Sequence, residues 1–294
     1  MAASPPVVLT IAGFDPSSGA GITADIKTIA AHECFGVACI TALTIQSTRG
    51  VRRVEGVDPK IIAETLQELV SDFAVGAVHI GMLGNERVVA VVADFLGQAF
   101  VGKARLPHVV LDPILKSSSG ADLLDAAGTR LLIERLVPLA ELITPNLDEA
   151  SVLTGMAVTN LDQMRAAAAR LHSLGAANVV ITGGDLSKGE KAIDLLSFTT
   201  AQGTQQEVFK ADRQRSNSTH GTGCAFATAL ACHLANGRGL PEAVLLSKAY
   251  VSAAIANAHP LGHGVGPLHH LYRMGQQRRQ STAVSEREQA HSQN

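Results

Sequence analysis

The segment Thr219-His-Gly-Thr-Gly-Cys224 runs directly into the apolar stretch Ala225–Ala235, where Phe226, Leu230 and Leu234 recur at helical spacing. Glycines just ahead of a helix let backbone N–H groups converge on one point, and the helix dipole adds to their pull on an anion. Gly221, Thr222 and Gly223 are therefore candidates to stabilise negative charge that develops on a transferring phosphoryl group. An ordinary Gly-rich helix start has the same pattern, so the motif alone leaves both roles open. Cys224 falls on the first turn, where a helix N-terminus lowers a thiol's pKa from about 8.5 and favours the thiolate. Its alternative role is that of a small buried hydrophobe.

Oxygen ligands cluster elsewhere. In Ile143-Thr-Pro-Asn-Leu-Asp-Glu149, Asn146 and Glu149 are three apart and share one face at the end of a short apolar run. Mg²⁺ suits such a place, because it keeps several waters and takes only one or two protein oxygens. The same N-x-x-E spacing is also a capping box. Asp112, between Val109-Val-Leu111 and Pro113, is a second carboxylate at a strand end. A third segment, Gly13–Gly21, is rich in turn residues, with Asp25 one turn into the helix that follows. It carries neither the GK[ST] of a P-loop nor G-x-G-x-x-G, so its glycines do not by themselves specify a nucleotide.

These residues need a frame that brings them together. Val7–Ala12 is a continuous apolar run, as in a strand covered on both faces. Val37–Leu43, Ala77–Ile80, Val109–Leu111, Leu142–Thr144 and Val179–Thr182 are further short strands. Helical patterns lie between them: Ile22, Ile26 and Ile29 mark one face, and Ile62, Leu66, Leu69 and Phe73 another, behind an Asp58 cap with Pro59 at the first helical position. Such alternation predicts an α/β fold, a mainly parallel central sheet with helices on both faces and right-handed crossovers. Ligands of such sheets bind outside the carboxyl ends of the strands, where the Gly- and Pro-rich turns of this chain fall.

Composition removes several classes of function. The 294 residues carry 24 Lys and Arg against 26 Asp and Glu, a net charge of −2, so no electrostatic argument favours nucleic acid or an anionic membrane as partner. Aromatic residues are 3% of the chain, too few for base-stacking platforms. Cys34, Cys39, Cys224 and Cys232 form no CxxC pair, which suits reduced thiols in the cytoplasm. Met1-Ala-Ala-Ser-Pro-Pro has no basic stretch followed by an apolar core, and even Val88–Leu96 is interrupted by Asp94. His269-His270 is an adjacent pair whose side chains diverge on any regular element, which disfavours a metal there. With no internal repeat or Pro/Ser-rich linker, residues 1–272 are expected to form a single domain, and 273–294, nearly devoid of apolar residues from 275 on, a disordered tail.

Taken in order, AGFDPSSGAGITADIKT (12–28), TALTIQSTRGV (41–51), IGML (80–83), LITPNLDEA (142–150), THGTGC (219–224) and GVGPLHH (264–270) resemble the hydroxymethylpyrimidine/phosphomethylpyrimidine kinases of thiamine biosynthesis, within the ribokinase-like superfamily. The resemblance covers about residues 7–271. It implies a three-layer α/β/α sandwich, commonly a homodimer, that uses ATP and Mg²⁺ to phosphorylate 4-amino-5-hydroxymethyl-2-methylpyrimidine and then its monophosphate. By family position Asp25 and Gln46 would hydrogen-bond the aminopyrimidine, with Gly13, Ala20, Met82 and Ile114 as walls. Gly221, Thr222 and Gly223 would form the anion hole, and Cys224 would replace the superfamily's usual catalytic Asp. Asn146, Thr182, Thr219 and His263 would face ATP, and Asp112 and Glu149 the metal.

Two departures stand out. Thr182-Gly-Gly-Asp185 and Gly262-His263-Gly264 each lack a lysine that the family often carries, which removes two permanent positive charges; Lys188 or Lys191 could compensate. A pyridoxine/pyridoxal kinase is the nearest alternative, although Gln46 and Met82 favour the aminopyrimidine. A catalytically degenerate pyrimidine-binding or regulatory protein is the third, and the intact GTGC and N-x-x-E elements argue against it.

Overall fold

In the computed structural model, which describes residues 4–101, 106–117, 119–184, 186, 190–214 and 216–274, strands and helices alternate as the apolar runs require. The first half contains β1 (Val7–Phe14), α1 (Gly21–Ala31), β2 (Phe35–Ser47), β3 (Gly50–Gly56), α2 (Pro59–Asp72), β4 (Val75–Ile80), α3 (Glu86–Val101), β5 (Val109–Leu111) and α4 (Ala126–Leu131). The second half contains β6 (Leu142–Ile143), α5 (Leu147–Thr154), α6 (Leu161–Ser173), β7 (Asn178–Gly183), β8 (Lys191–Thr200), β9 (Gly203–Asp212), α7 (Thr222–Ala235) and α8 (Leu240–Ala256).

The strands form one nine-stranded sheet in the order β3-β2-β1-β4-β5-β6-β7-β8-β9. The six from β2 to β7 run parallel; β3, β8 and β9 pair antiparallel at the two ends. Side chains of a strand alternate between faces, and here the alternation fills two cores. Leu9, Ile11, Val78, Ile80, Leu111 and Ile181 meet α2, α3, α5 and α6 on one side. Val8, Ala77, Val110, Leu142 and Val180 meet α1, α7 and α8 on the other. The result is the three-layer α/β/α sandwich that the resemblance implies.

Local chemistry explains the element boundaries. Asp58 Oδ1 accepts from Lys60 N at 2.9 Å and caps α2, with Pro59 as its first residue. Helix α7 is buried on nearly every side, from Cys224 through Cys232, because it lies between the sheet and the outer helices. Three strands escape the sequence reading. In β3 and β9 apolar and charged residues mix on half-exposed surfaces, and β8 is recognisable only once it pairs with β7 and β9.

Arg273, assigned by sequence to the tail, packs its guanidinium 5.8 Å from the Tyr250 ring centroid and 5.7 Å from that of Tyr272. Met274 N donates to Leu271 O at 3.1 Å, and the remainder of the tail, 275–294, lies outside the described residues. Among the described residues no helix is long and apolar enough to cross a membrane.

Candidate active site

The carboxyl ends of the parallel strands open onto one cavity of about 530 Å³. Its first wall is the turn after β1. Asp15 organises this turn by accepting from Ser17 N and Oγ at 2.8 and 2.7 Å, and from Gly19 N and Ala20 N at 3.3 and 3.0 Å. Gly13, Ala20, Gln46, Met82 and Ile114 all border the cavity.

Opposite them α7 begins. Gly221 is its N-cap with φ 84°, a left-handed conformation suited to glycine, and a side chain there would run into the Gly19 carbonyl. The helical ladder starts with Ala225 N donating to Gly221 O at 2.9 Å. The N–H groups of Gly223 and Cys224 precede it at the cavity wall, beside Thr219 and Thr222. This arrangement suits an anion.

Asp112 follows the end of β5, and Glu149 stands on the first turn of α5, just after β6; both border the cavity. The capping box exists: Glu149 N donates to Asn146 Oδ1 at 2.9 Å, and Asn146 N to Glu149 Oε2 at 2.9 Å. Both residues also line the cavity, so the cap does not remove them from it. Burial pushes the Glu149 carboxyl up to about 7, against backbone hydrogen bonds from Asn146 and Leu115. Burial, and then the charges of Glu149 and Asp25, raise Asp112 well above the usual carboxylate range. Asp112 Oδ2 is buried without a hydrogen-bond partner among the described residues. Two crowded carboxyls, one with an orphaned oxygen, fit a hydrated divalent cation that takes one or two protein oxygens. Among the described residues no group of three or more His, Cys, Asp or Glu converges as a closed metal cage.

Three expectations need correction. Cys224 does stand on the first turn of α7, but its thiol is pushed up, not down. Burial dominates, the carboxylates of Asp112, Asp25 and Glu149 add to it, and one hydrogen bond from the Gly21 backbone does not offset them. Asp25 does not reach the cavity. It is fully buried between α1 and α7, where Thr10 Oγ1 donates to it at 2.7 Å and Thr228 Oγ1 at 2.9 Å, with His79 Nδ1 3.5 Å away. His263 is likewise outside. It is exposed, and its N–H donates to Thr48 Oγ1 at 3.2 Å, which ties its loop to the β2–β3 turn.

Thr182 does line the cavity. Lys191 does not compensate for the lysine missing there, since it is exposed and paired with Asp212 Oδ1 at 2.6 Å. Lys188 lies outside the described residues. The cations bordering the cavity are instead Lys116, Arg213 and Lys248. Lys248 Nζ is held 2.6 Å from Asp194 Oδ2, and Asp194 Oδ1 accepts from Gly183 N at 3.0 Å.

Sequence reasoning missed Asp15, His220 and the Asp194–Lys248 pair. Asp15 had a signal, an Asp at the head of a Pro-Ser-Ser-Gly turn, whose carboxylate characteristically binds backbone N–H groups just ahead. His220 lay inside a motif read for its glycines. Lys248 had one as well, at a position that shares a helix face with Val244 and Val251.

Comparison with known proteins accords with this geometry. The sequence model of the family described as phosphomethylpyrimidine kinase matches residues 15–269. A thiamine biosynthesis bifunctional protein of Geobacter sulfurreducens is 43% identical over 264 residues, which is 90% of this chain but 52% of that protein, so the chain spans about half of that relative. A hydroxymethylpyrimidine/phosphomethylpyrimidine kinase of Rhizobium meliloti is 41% identical over 91% of this chain and 97% of its own length. Among solved structures, the ADP complex of Bacillus subtilis pyridoxal kinase superimposes with a TM-score of 0.82 at 35% identity, covering 92% of this chain and all of that one.

Proposed function

The chain belongs to the phosphomethylpyrimidine kinase family, and on that premise we propose that it transfers the γ-phosphate of ATP to the hydroxymethyl group of 4-amino-5-hydroxymethyl-2-methylpyrimidine, and then to the monophosphate so formed. One observation carries this reading: Gln46, the N-terminus of α7 and the Asp112–Glu149 pair border a single cavity. A polar ring-reading side chain, an anion hole and an acidic pair are the three parts that phosphorylation of a small alcohol needs.

Phosphoryl transfer asks little covalent chemistry of a protein; positioning and charge stabilisation dominate. Gln46 holds the aminopyrimidine against Gly13, Ala20, Met82 and Ile114. The N–H groups of Gly223 and Cys224 stabilise charge that grows on the phosphoryl oxygens. Asn146, Thr182 and Thr219 face the nucleotide, and Lys116 and Arg213 supply positive charge that residue 182 lacks. Asp112 and Glu149 would hold Mg²⁺, which when bound neutralises phosphate charge. Cys224, a neutral thiol in the unliganded protein, orients the acceptor hydroxyl. We also propose a cytoplasmic homodimer; all four cysteines are free thiols, and light scattering on the purified protein tests the dimer.

The alternative acceptor is a pyridine alcohol, favoured by the likeness to a pyridoxal kinase. ATP turnover with each alcohol separates the two. We expect higher kcat/KM with the aminopyrimidine alcohol, and then turnover of its monophosphate. A preference for pyridoxal or pyridoxine would replace this reading, and no turnover with either would end it.

A further inference from the structure

Gln46 reaches the cavity from β2, and its terminal amide lies between two partners. Its Oε1 position is 3.2 Å from Thr44 Oγ1, and its Nε2 position is 3.1 Å from His220 Nε2. The two ends of an amide have the same shape, so hydrogen-bond parity decides which end faces which neighbour.

Parity begins at Asp15. Besides its four contacts to Ser17, Gly19 and Ala20, Asp15 Oδ2 stands 2.9 Å from His220 Nε2. Burial pushes the Asp15 carboxyl up, but the hydrogen bonds from His220 and Ser17 together outweigh it and hold the group below its ordinary value. An ionised carboxylate only accepts, so His220 Nε2 carries a hydrogen. That nitrogen then has no lone pair for Gln46, and an amide NH₂ facing it would set donor against donor. At the other end Thr44 Oγ1 has one hydrogen, which it donates to Phe14 O at 3.0 Å. Toward Gln46 it offers lone pairs alone. Both conflicts vanish together when the amide is turned over, with oxygen toward His220 and NH₂ toward Thr44.

The imidazole is fixed for this task. His220 N donates to Gly266 O at 3.0 Å. The ring lies against Gly19, where any β-carbon would strike it. Turn, β2 and α7 start are thereby joined through one side chain.

We propose that Asp15 and His220 are positioning residues that lock the Gln46 amide with its oxygen toward the α7 start and its NH₂ toward β2, and that this polarity selects an amino-pyrimidine edge over the oxo edge of the same ring. The amide's second lone pair and second hydrogen remain for the ligand. They match an exocyclic amine that donates beside a ring nitrogen that accepts. A 4-oxo analogue, with an N–H beside a carbonyl, presents the reverse order. This inference rests on the reading that the aminopyrimidine alcohol occupies the cavity.

Two measurements test it. Long-range ¹H–¹⁵N correlation on the ligand-free wild type reads the His220 tautomer, and we expect hydrogen on Nε2; a ring protonated on Nδ1 alone overturns the relay. Calorimetry with the 4-amino alcohol and its 4-oxo analogue then reads selectivity in wild type, Asp15→Asn and Gln46→Leu. We expect the amino-to-oxo preference to fall by about tenfold or more in both variants, in Asp15→Asn because an unlocked amide can serve either edge and in Gln46→Leu because no amide remains to discriminate. A merely structural role would weaken both ligands equally, and an unchanged ratio in Asp15→Asn overturns the proposal. Binding of neither pyrimidine by the wild type would overturn the selectivity together with the functional reading beneath it, whereas the tautomer result stands or falls by itself.

Discussion

A β-carbon built on Gly223 would stand 3.7 Å from Asp112 Oδ2, the buried carboxyl oxygen that finds no partner among the described residues. The start of α7, proposed above as the anion hole, and the acidic end of β5 thus face each other across a gap that one methyl group would narrow. That contact distance is ordinary, so Gly223→Ala should fold normally and keep kcat within about tenfold of wild type. Gly223→Val adds two further methyls at the point where charge develops. We expect its kcat to fall by about 10²-fold or more, with the KM for ATP nearly unchanged. Steady-state kinetics on both variants decide the matter: if the loss lay in the KM for ATP alone, the segment would be a ground-state nucleotide cradle.

Glu149 gives the protein a pH signature. Its folded-state pKa of about 7 lies above its ordinary value of 4.5, so the folded chain binds this proton more tightly than the unfolded chain does. Stability contributed by the protonated group is full below the ordinary value and is lost as pH rises toward about 7, then levels off. Melting temperatures of the metal-free protein, measured across that window, should therefore fall with rising pH, and Glu149→Gln should flatten the slope. The same variant should need more Mg²⁺ for half-maximal turnover, because one carboxylate is lost from the ion's surroundings. A normal Mg²⁺ titration in a destabilised variant would leave Glu149 as a helix cap only.

The sequence revealed what depends on local pattern. Val7–Ala12 and Val109–Leu111 are strands because apolar runs of that length need cover on both faces, and Asp58-Pro59 announces α2 by a cap that acts within three residues. What depends on distant partners stayed hidden. Asp15 and His220 are 205 residues apart and meet only because β1 ends and α7 begins on the same side of the sheet. Strands β8 and β9 likewise rely on pairing more than on burial. Cys224 was misjudged because the helix start is visible in the sequence, whereas the convergence of Asp112, Asp25 and Glu149 around the thiol is not.

That convergence has a chemical consequence. A thiol kept neutral by burial and nearby carboxylates is a poor nucleophile and a poor base near neutral pH. We expect iodoacetamide to leave Cys224 of the ligand-free protein largely unmodified up to about pH 9. Cys34 is also buried, but hydrogen bonds with Cys232 and Asn236 draw its thiol down to about 7 against burial, so it should react slowly yet ahead of Cys224. Peptide mapping by mass spectrometry distinguishes the two sites. Cys224→Ser, which keeps a small hydroxyl donor, should retain kcat within about tenfold, and a much larger loss would restore the thiolate base.

Asp25 and Gln46 were expected to share one task, and the structure separates them. Asp25 follows Ile22 by three residues and precedes Ile29 by four, so helical spacing places it on the apolar face of α1. There it accepts from Thr10 and Thr228, beside His79, with no exposure at all. Removing it leaves two buried hydroxyls without their acceptor and takes a partner from the imidazole. Asp25→Ala should therefore cost about 3 kcal/mol or more of stability in urea unfolding. The protein that remains folded should bind the aminopyrimidine alcohol with a KM within about twofold of wild type, since no side chain assigned to the ring is altered and the lost charge acts, at the cavity, on Asp112 and Cys224. Gln46→Leu should show the opposite pattern. Its side chain is part-buried at the cavity wall, so stability should change by no more than about 0.5–1 kcal/mol. The alcohol's KM should nevertheless rise by about tenfold or more, because a site built to pair with a polar ring edge loses that pairing. Kinetics and denaturation on the two variants, measured side by side, check both halves. An Asp25→Ala protein of normal stability and raised KM would return Asp25 to the substrate, and would require the α1–α7 contact to open when the alcohol binds.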